Sequence, residues 1–147
     1  MSLFNSMNIS ATGLTAERLR MDVISKNIAN ANTTRTASGT PYRRQVVTFR
    51  EKTSPLPFSH FLNQASKNQY GIGGVEVTGI HHDPAPNKMV YDPGHPDANS
   101  EGYVEMPNVD IMTEMANLIT ASRAYEANVN AMNTSKNMAQ RALEIGR

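Results

Sequence analysis

The residues of this 147-residue chain best placed to do chemistry are His81-His82-Asp83 and, a short way on, Asp92-Pro93-Gly94-His95-Pro96-Asp97. Three imidazoles and three carboxylates so close in sequence could hold a divalent metal ion and turn a bound water into a hydrolytic nucleophile. Two features oppose that reading. On a strand, adjacent His81 and His82 point to opposite faces and cannot readily share an ion. Asp-Pro-Gly and His-Pro-Asp are turn formers, in which Asp caps the turn and Pro fixes φ. The segment is therefore read as structural turns, with no metal, no cofactor and no catalytic residue.

No other catalytic set stands out. There is no cysteine, which excludes disulfides and thiolate metal sites but identifies no compartment. The sequence has no Gly-x-Ser-x-Gly elbow, and Gly71-Ile72-Gly73-Gly74 is too short and badly placed to cradle phosphate. Arg43-Arg44, with Arg35, Tyr42 and Arg50 nearby, makes a small basic patch. With a net charge of only +1, it reads as a solvated strand edge or an ion pair between subunits, and no nucleic-acid partner is expected. Residues 1–36 carry four basic and two acidic side chains, a weak bias beside that of membrane-surface helices. No apolar run approaches the ~18 residues of a membrane span, and the start lacks the basic and apolar regions of a cleaved signal. Composition alone thus suggests a cytosolic protein that does not insert in a membrane.

The elements that must position these residues are set by proline and glycine. All eight prolines lie between Pro41 and Pro107, and seven of nine glycines between Gly39 and Gly102. Both residues break helices, so the two ends can be long helices and the middle must be rich in turns. Three parts follow: 1–36, an N-terminal helix with an Asn-rich end; 37–107, a β-rich middle with mobile loops; and 108–147, a C-terminal helix, the mobile segments expected being 33–40, across the first boundary, and 64–74. The fold class is α+β, two long terminal helices with a small β-rich insert between them.

The C-terminal helix has the clearest pattern. Ile111, Met115, Leu118, Ser122, Tyr125, Val129, Met132, Lys136, Ala139 and Leu143 keep an unbroken 4-3 spacing, a heptad seam broken by Ser122 and Lys136. Asn108 or Asp110 can cap it after Pro107. A helix that long overhangs any core so small a chain could build, so its seam must meet a helix of this chain or of a neighbour. In the N-terminal helix Met7, Leu14, Met21 and Ile28 recur every seven residues, joined by Leu3, Ala11, Ile24 and Ala31. Gly13 and several Thr and Asn residues weaken it, so packing must supply most of its stability. Six of the nine methionines fall in the two helices, and methionine adapts to irregular gaps.

Asn27, Asn30 and Asn32 crowd the point where the first helix should stop. They suit a helix end, because Asn tolerates the left-handed conformation. They equally suit a polar junction between packed subunits, and the sequence leaves both readings open. In the middle, Gln45–Phe49, Val75–Thr78, Met89–Tyr91 and Tyr103–Met106 read as strands, the last two as a hairpin. Phe58, Phe61, Leu62 and Ala65 have the spacing of one short amphipathic helix.

Met21-Asp-Val-Ile-Ser-Lys-Asn-Ile-Ala-Asn-Ala-Asn-Thr-Thr34 resembles the N-terminal signature of the flagellar rod and hook proteins. Pro41-Tyr42-Arg43-Arg44-Gln45, the run from Val90 to Asn99, and Gly102-Tyr103-Val104 are similar to the proximal rod members of that family. So are Pro107-Asn108-Val109-Asp110, Glu114-Met115 and the run from Ala121 to Val129. The resemblance covers roughly residues 6–50 and 75–146, and residues 52–74 match nothing in it. It implies a non-enzymatic subunit whose terminal helices pair as a coiled coil and pack around an export channel. The partners implied are further copies of the chain, other rod proteins and the flagellar type III export apparatus. That apparatus would carry a chain without a cleaved signal out of the cytoplasm to the basal body.

Overall fold

A computed structural model describes residues 3–52 and 73–145. Helix α1 (Leu3–Ala29) leads into strands β1 (Gln45–Lys52) and β2 (Gly74–His82). Strands β3 (Lys88–Tyr91) and β4 (Tyr103–Met106) follow, then helix α2 (Ile111–Ile145). All four strands lie where alternation and turn residues put them, β1 and β2 running a few residues longer. The short helix expected around Phe58–Ala65 lies outside the described residues, as does 64–72 of the second loop.

The helices have 27 and 35 residues, or ~40 and ~52 Å at 1.5 Å per residue. They pack against each other along most of α1. Two contacts fix the direction. Asn27 reaches Glu114, and the Asn128 carboxamide lies 3.1 Å from where a Cβ on Gly13 would stand. Fourteen residues forward on α1, 13 to 27, correspond to fourteen back on α2, 128 to 114, so the pair is antiparallel and close to residue-for-residue. A side chain at position 13 would press on that carboxamide, which would have to give way to admit it.

The β1–β2 ribbon lies along another side of α1. Its strands are antiparallel, pairing Gln45 with His82 and Lys52 with Gly74. Gln45 sits beside Asn27 at one end, and at the other the Val75 N–H donates to Thr12 Oγ1. A register shift between Thr48 and Phe49 leaves Thr78 unpaired in the ladder. Bulges of this kind bend and twist a ribbon, here around a helix. The second ribbon, β3–β4, pairs Lys88 with Met106 and Tyr91 with Tyr103, whose rings meet edge-on. Lys88 Nζ donates to Val109 O, in the segment that leads into α2.

Among the described residues the apolar interior is small. Its buried members are Ala16, Val23, Ile24, Ala31, Tyr42, Val104, Val109 and Ala121, half of them alanine or aromatic-hydroxyl side chains. Among the described residues, the largest side chains fully removed from water are Glu114, Asn27 and Pro107. At the centre of the molecule, hydrogen bonds take the place that packed leucines would fill elsewhere.

The loop 33–40, expected to be mobile, is closed by bonds from Thr36 N and Thr36 Oγ1 to Thr40 O. It is tied across the fold where Thr34 Oγ1 donates to Asp97 Oδ2.

Candidate functional site

The site grows from the C-terminal end of α1. Asn27 is 1% exposed, and its carboxamide makes all four bonds open to it. Nδ2 donates to Gln45 O (2.8 Å) and Glu114 Oε2 (2.9 Å); Oδ1 accepts from Tyr42 OH (2.9 Å) and Gln45 N (2.9 Å). Glu114, in the first turn of α2 and equally buried, receives Arg44 Nε and Nη2 on Oε1 at 2.9 and 2.7 Å. Arg44 Nη1 donates to Asp83 Oδ2 at 3.1 Å. Arg44 N donates to Asn108 Oδ1, and Asn108 Nδ2 donates to Ala85 O. One connected network thus joins α1, β1, the β2–β3 loop and the start of α2.

Its electrostatics follow from burial and charge. Burial, with the Glu114 carboxylate close by, pushes the Tyr42 phenol up. Burial opposes the Arg44 charge, but hydrogen bonds to Glu114 and Asp83 outweigh it, and the guanidinium is raised. The Ala85 N–H and then Arg44 hold the Asp83 carboxyl below its usual range. At the α2 cap, Asp110 accepts from the Thr113 hydroxyl, which lowers its carboxyl. Of the two candidate caps Asp110 serves, and Asn108 joins the network.

The three asparagines of the expected polar junction take different places. Asn27 is wholly engaged within the chain. Asn30 closes the helix, donating to Lys26 O and accepting from Thr33 Oγ1. Asn32 is exposed. Arg44 was expected at a solvated edge or in an ion pair between subunits; it pairs inside its own chain instead, because Glu114 lies within reach and is otherwise uncompensated.

The seam on α2 divides. Leu118, Tyr125, Met132 and Ala139 are partly buried. The row completing the α1-facing side is not Met115, Ser122, Val129 and Lys136 but the one a residue earlier, Glu114, Ala121, Asn128 and Ser135, of which Glu114, Ala121 and Ser135 are buried. The packed face is thus turned ~50° from the apolar seam, half the 100° step of one helical residue. A small or polar row lets the helices approach closely; the larger side chains are left to the flank. Ile111, Met112, Met115 and Ile119 are exposed there by 42, 76, 49 and 54%. Leu143 is also exposed, and Val129 is half-buried. On α1, Met7, Leu14, Met21 and Ile28 are half-buried along the helix, while Val23, Ile24 and Asn27 are buried.

The histidine-aspartate segment forms turns. Asp92 Oδ1 accepts from Gly94 N, and His95 Nδ1 accepts from Asp97 N. Gly102, at φ +79°, closes the loop between β3 and β4 in a conformation that favours glycine. His81 and His82 lie exposed on β2. Among the described residues no three His, Cys, Asp or Glu side chains come together as metal ligands would, and no helix is long and apolar enough to cross a membrane.

Sequence reasoning missed Glu114 as a central residue. The signal was present: Glu114, Ala121, Asn128 and Ser135 recur every seven residues, a small-or-polar row beside the apolar one.

Two family descriptions match the ends of the chain: "Flagella basal body rod protein" over residues 7–35 and "Flagellar basal body rod FlgEFG protein C-terminal" over residues 100–145. Similar curated proteins include the flagellar basal-body rod protein FlgC of Borreliella burgdorferi, 50% identical over 151 residues, covering 99% of this chain and 98% of the relative. That of Bacillus subtilis is 47% identical and covers both chains completely. That of Escherichia coli O6:H1 is 39% identical and covers 99% of each.

Proposed function

The chain belongs to the flagellar basal-body rod protein FlgC family, and on that premise we propose how its two helices and polar centre serve it. It is a structural subunit of the basal-body rod of the bacterial flagellum, working in motility alongside other rod components. Its position is in the proximal rod. It reaches that place through the flagellar type III export apparatus, and it catalyses no reaction.

One observation carries the assembly mechanism: α2 presents an apolar flank, Ile111, Met112, Met115 and Ile119, that α1 leaves exposed. Exposed apolar area gains roughly 25 cal/mol per Å² when covered, so contact with neighbouring subunits is favourable. In this reading α1 and α2 form a two-helix coiled coil inside one subunit. Met7, Leu14, Met21 and Ile28, with Leu118, Tyr125, Val129 and Met132, lie along its seam and edges and pack both within and between subunits. Ile111, Met115 and Leu143 face neighbours only. Asn30 and Asn32 lie at the end of α1, where a junction with the next subunit would fall. The division 1–36, 37–107 and 108–147 then separates two assembling ends from a middle that faces outward.

The test is complementation. In a strain lacking its own FlgC, this chain should restore swimming, and it should be found in isolated basal bodies below the hook. Basal bodies that assemble normally while excluding it would refute the reading.

A further inference from the structure

We infer that the Asn27–Arg44–Glu114 network is a register lock, selecting one of two alignments that the helix rows alone leave open. The problem arises from the sequence. The packed rows on α2 recur every seven residues, as Glu114, Ala121, Asn128 and Ser135 and as Leu118, Tyr125, Met132 and Ala139. Sliding α1 by seven residues places it on the same rows again. Helix lengths permit the slide, because α2 has 35 residues and α1 has 27. In the observed register residue 3 would face the neighbourhood of 138 and residue 29 that of 112. After a slide toward the C-terminus they would face about 145 and 119, still wholly on α2. Gly13 would then meet Ser135, a residue small enough for the same close approach. The slide would draw Val109 from the buried cluster it forms with Ala31 and Tyr42, but the repeating rows do not by themselves distinguish the two states.

The network does. After the slide Asn27 would face Ala121, which offers no acceptor. Glu114 would lie past the end of α1, and Arg44 would lose the carboxylate that takes two of its donors. Asn108, which accepts from Arg44 N and donates to Ala85 O, opposes the slide from the same side. A buried polar layer of this kind adds little net stability but penalises every arrangement that leaves its members unpaired. The burial points the same way: among the described residues, two of the three largest fully buried side chains, Glu114 and Asn27, belong to the network. The consequence concerns presentation, since the register decides whether α1 covers α2 from about residue 112 to 138 or from about 119 to 145. The inference holds for the chain whether or not it polymerises.

The chain contains no cysteine, so engineered pairs report the register directly. Gly13→Cys with Asn128→Cys reads the observed alignment, and Gly13→Cys with Ser135→Cys reads the slid one. In the otherwise native purified chain the first pair should oxidise and the second should not. Both pairs are then placed in a background with Asn27→Leu, Arg44→Leu, Asn108→Ala and Glu114→Leu, which removes the network without leaving a buried charge. The 13/135 cross-link should become comparable to 13/128 while helix content by circular dichroism is retained. A folded variant that still cross-links only through 13/128 would overturn the inference. Should that background fail to fold, Glu114→Gln provides the decision. Its amide sets one donor against Asn27 Nδ2, so the 13/135 fraction should rise at least about tenfold, the equivalent of one unsatisfied donor. An unchanged fraction in Glu114→Gln would equally overturn it.

Discussion

Asn27 and Glu114 stand 87 positions apart in the chain and 2.9 Å apart in the fold, and neither has contact with solvent to spare. Their bond is where the first helix, the β ribbon and the second helix become one structure. A polar contact at the centre of so small an interior makes the fold sensitive to single atoms, and the expectations below exploit that.

Replacing Glu114 with Ala should cost about 3 kcal/mol in urea-induced unfolding, near the lower end for breaking a buried ion pair. Arg44 is 25% exposed and can recover some hydration, which limits the loss. Glu114→Asp should also destabilise, because the shorter side chain cannot reach Asn27 and Arg44 together. Stability within about 0.5 kcal/mol of the native chain, the usual range for surface changes, would contradict the network.

The asparagines should separate in the same assay. Asn27→Ala strands the Gln45 N–H, the Tyr42 hydroxyl and one Glu114 oxygen, at about 1–3 kcal/mol for each buried group left unsatisfied. Asn30→Ala removes a local closing bond and should cost about 1 kcal/mol or less. Asn32→Ala should be neutral to about 0.5 kcal/mol. Equal losses at all three positions would be inconsistent with the structure.

The pH dependence has opposite signs at its two ends. Tyr42 is raised above its usual 10.0 by burial and then by Glu114. Its contribution is therefore complete below pH 10.0 and is lost as pH rises through the folded value. Asp83 is lowered below 3.8 by the Ala85 N–H and then by Arg44, so its contribution is complete above 3.8 and is lost on acidification through the folded value. Thermal unfolding against pH should show Tyr42→Phe flattening the alkaline limb and Asp83→Asn the acid limb. A change in the reverse limb for either variant would refute the assignment.

Gly13→Val should separate α1 from α2 by forcing methyl groups into the Asn128 carboxamide. It should lose about 1–3 kcal/mol, the usual range for overpacking. Adding Asn128→Ala vacates that space and should recover most of the loss, read as non-additivity in a double-mutant cycle. Additive losses would place the two residues apart.

The two faces of α2 should divide folding from assembly. Met115→Asp lies on the exposed flank and should leave the purified subunit as stable as before, yet give no rods and no swimming. Leu118→Asp, on the side packed against α1, should lower subunit stability as well, by a few kcal/mol for a carboxylate set among apolar groups. Normal rods from Met115→Asp would remove that flank from the interface.

How much of this was legible follows from the range of each signal. The two terminal helices, the four strands and the β3–β4 hairpin were readable because proline, glycine and side-chain alternation act over a few neighbouring residues. The heptad spacing on 111–143 gave the helix and one of its two packed rows, Leu118, Tyr125, Met132 and Ala139. It could not give the second row, because apolar periodicity ranks residues by size and hydropathy, while the partner helix selects those that let it come close. That favoured Glu114, Ala121, Asn128 and Ser135 over Met115, Ser122, Val129 and Lys136. Asn27 was visible as unusual but not as buried, and Arg44 looked like surface charge. Their roles depend on partners 87 and 70 residues away, and whether a polar side chain is solvated or enclosed is settled only when those distant segments meet. The sequence by itself determined the elements, their order and the kinship of the chain. The tertiary structure decided which face of each helix is buried within the chain and which is left exposed, because burial belongs to the packed molecule and to no residue alone.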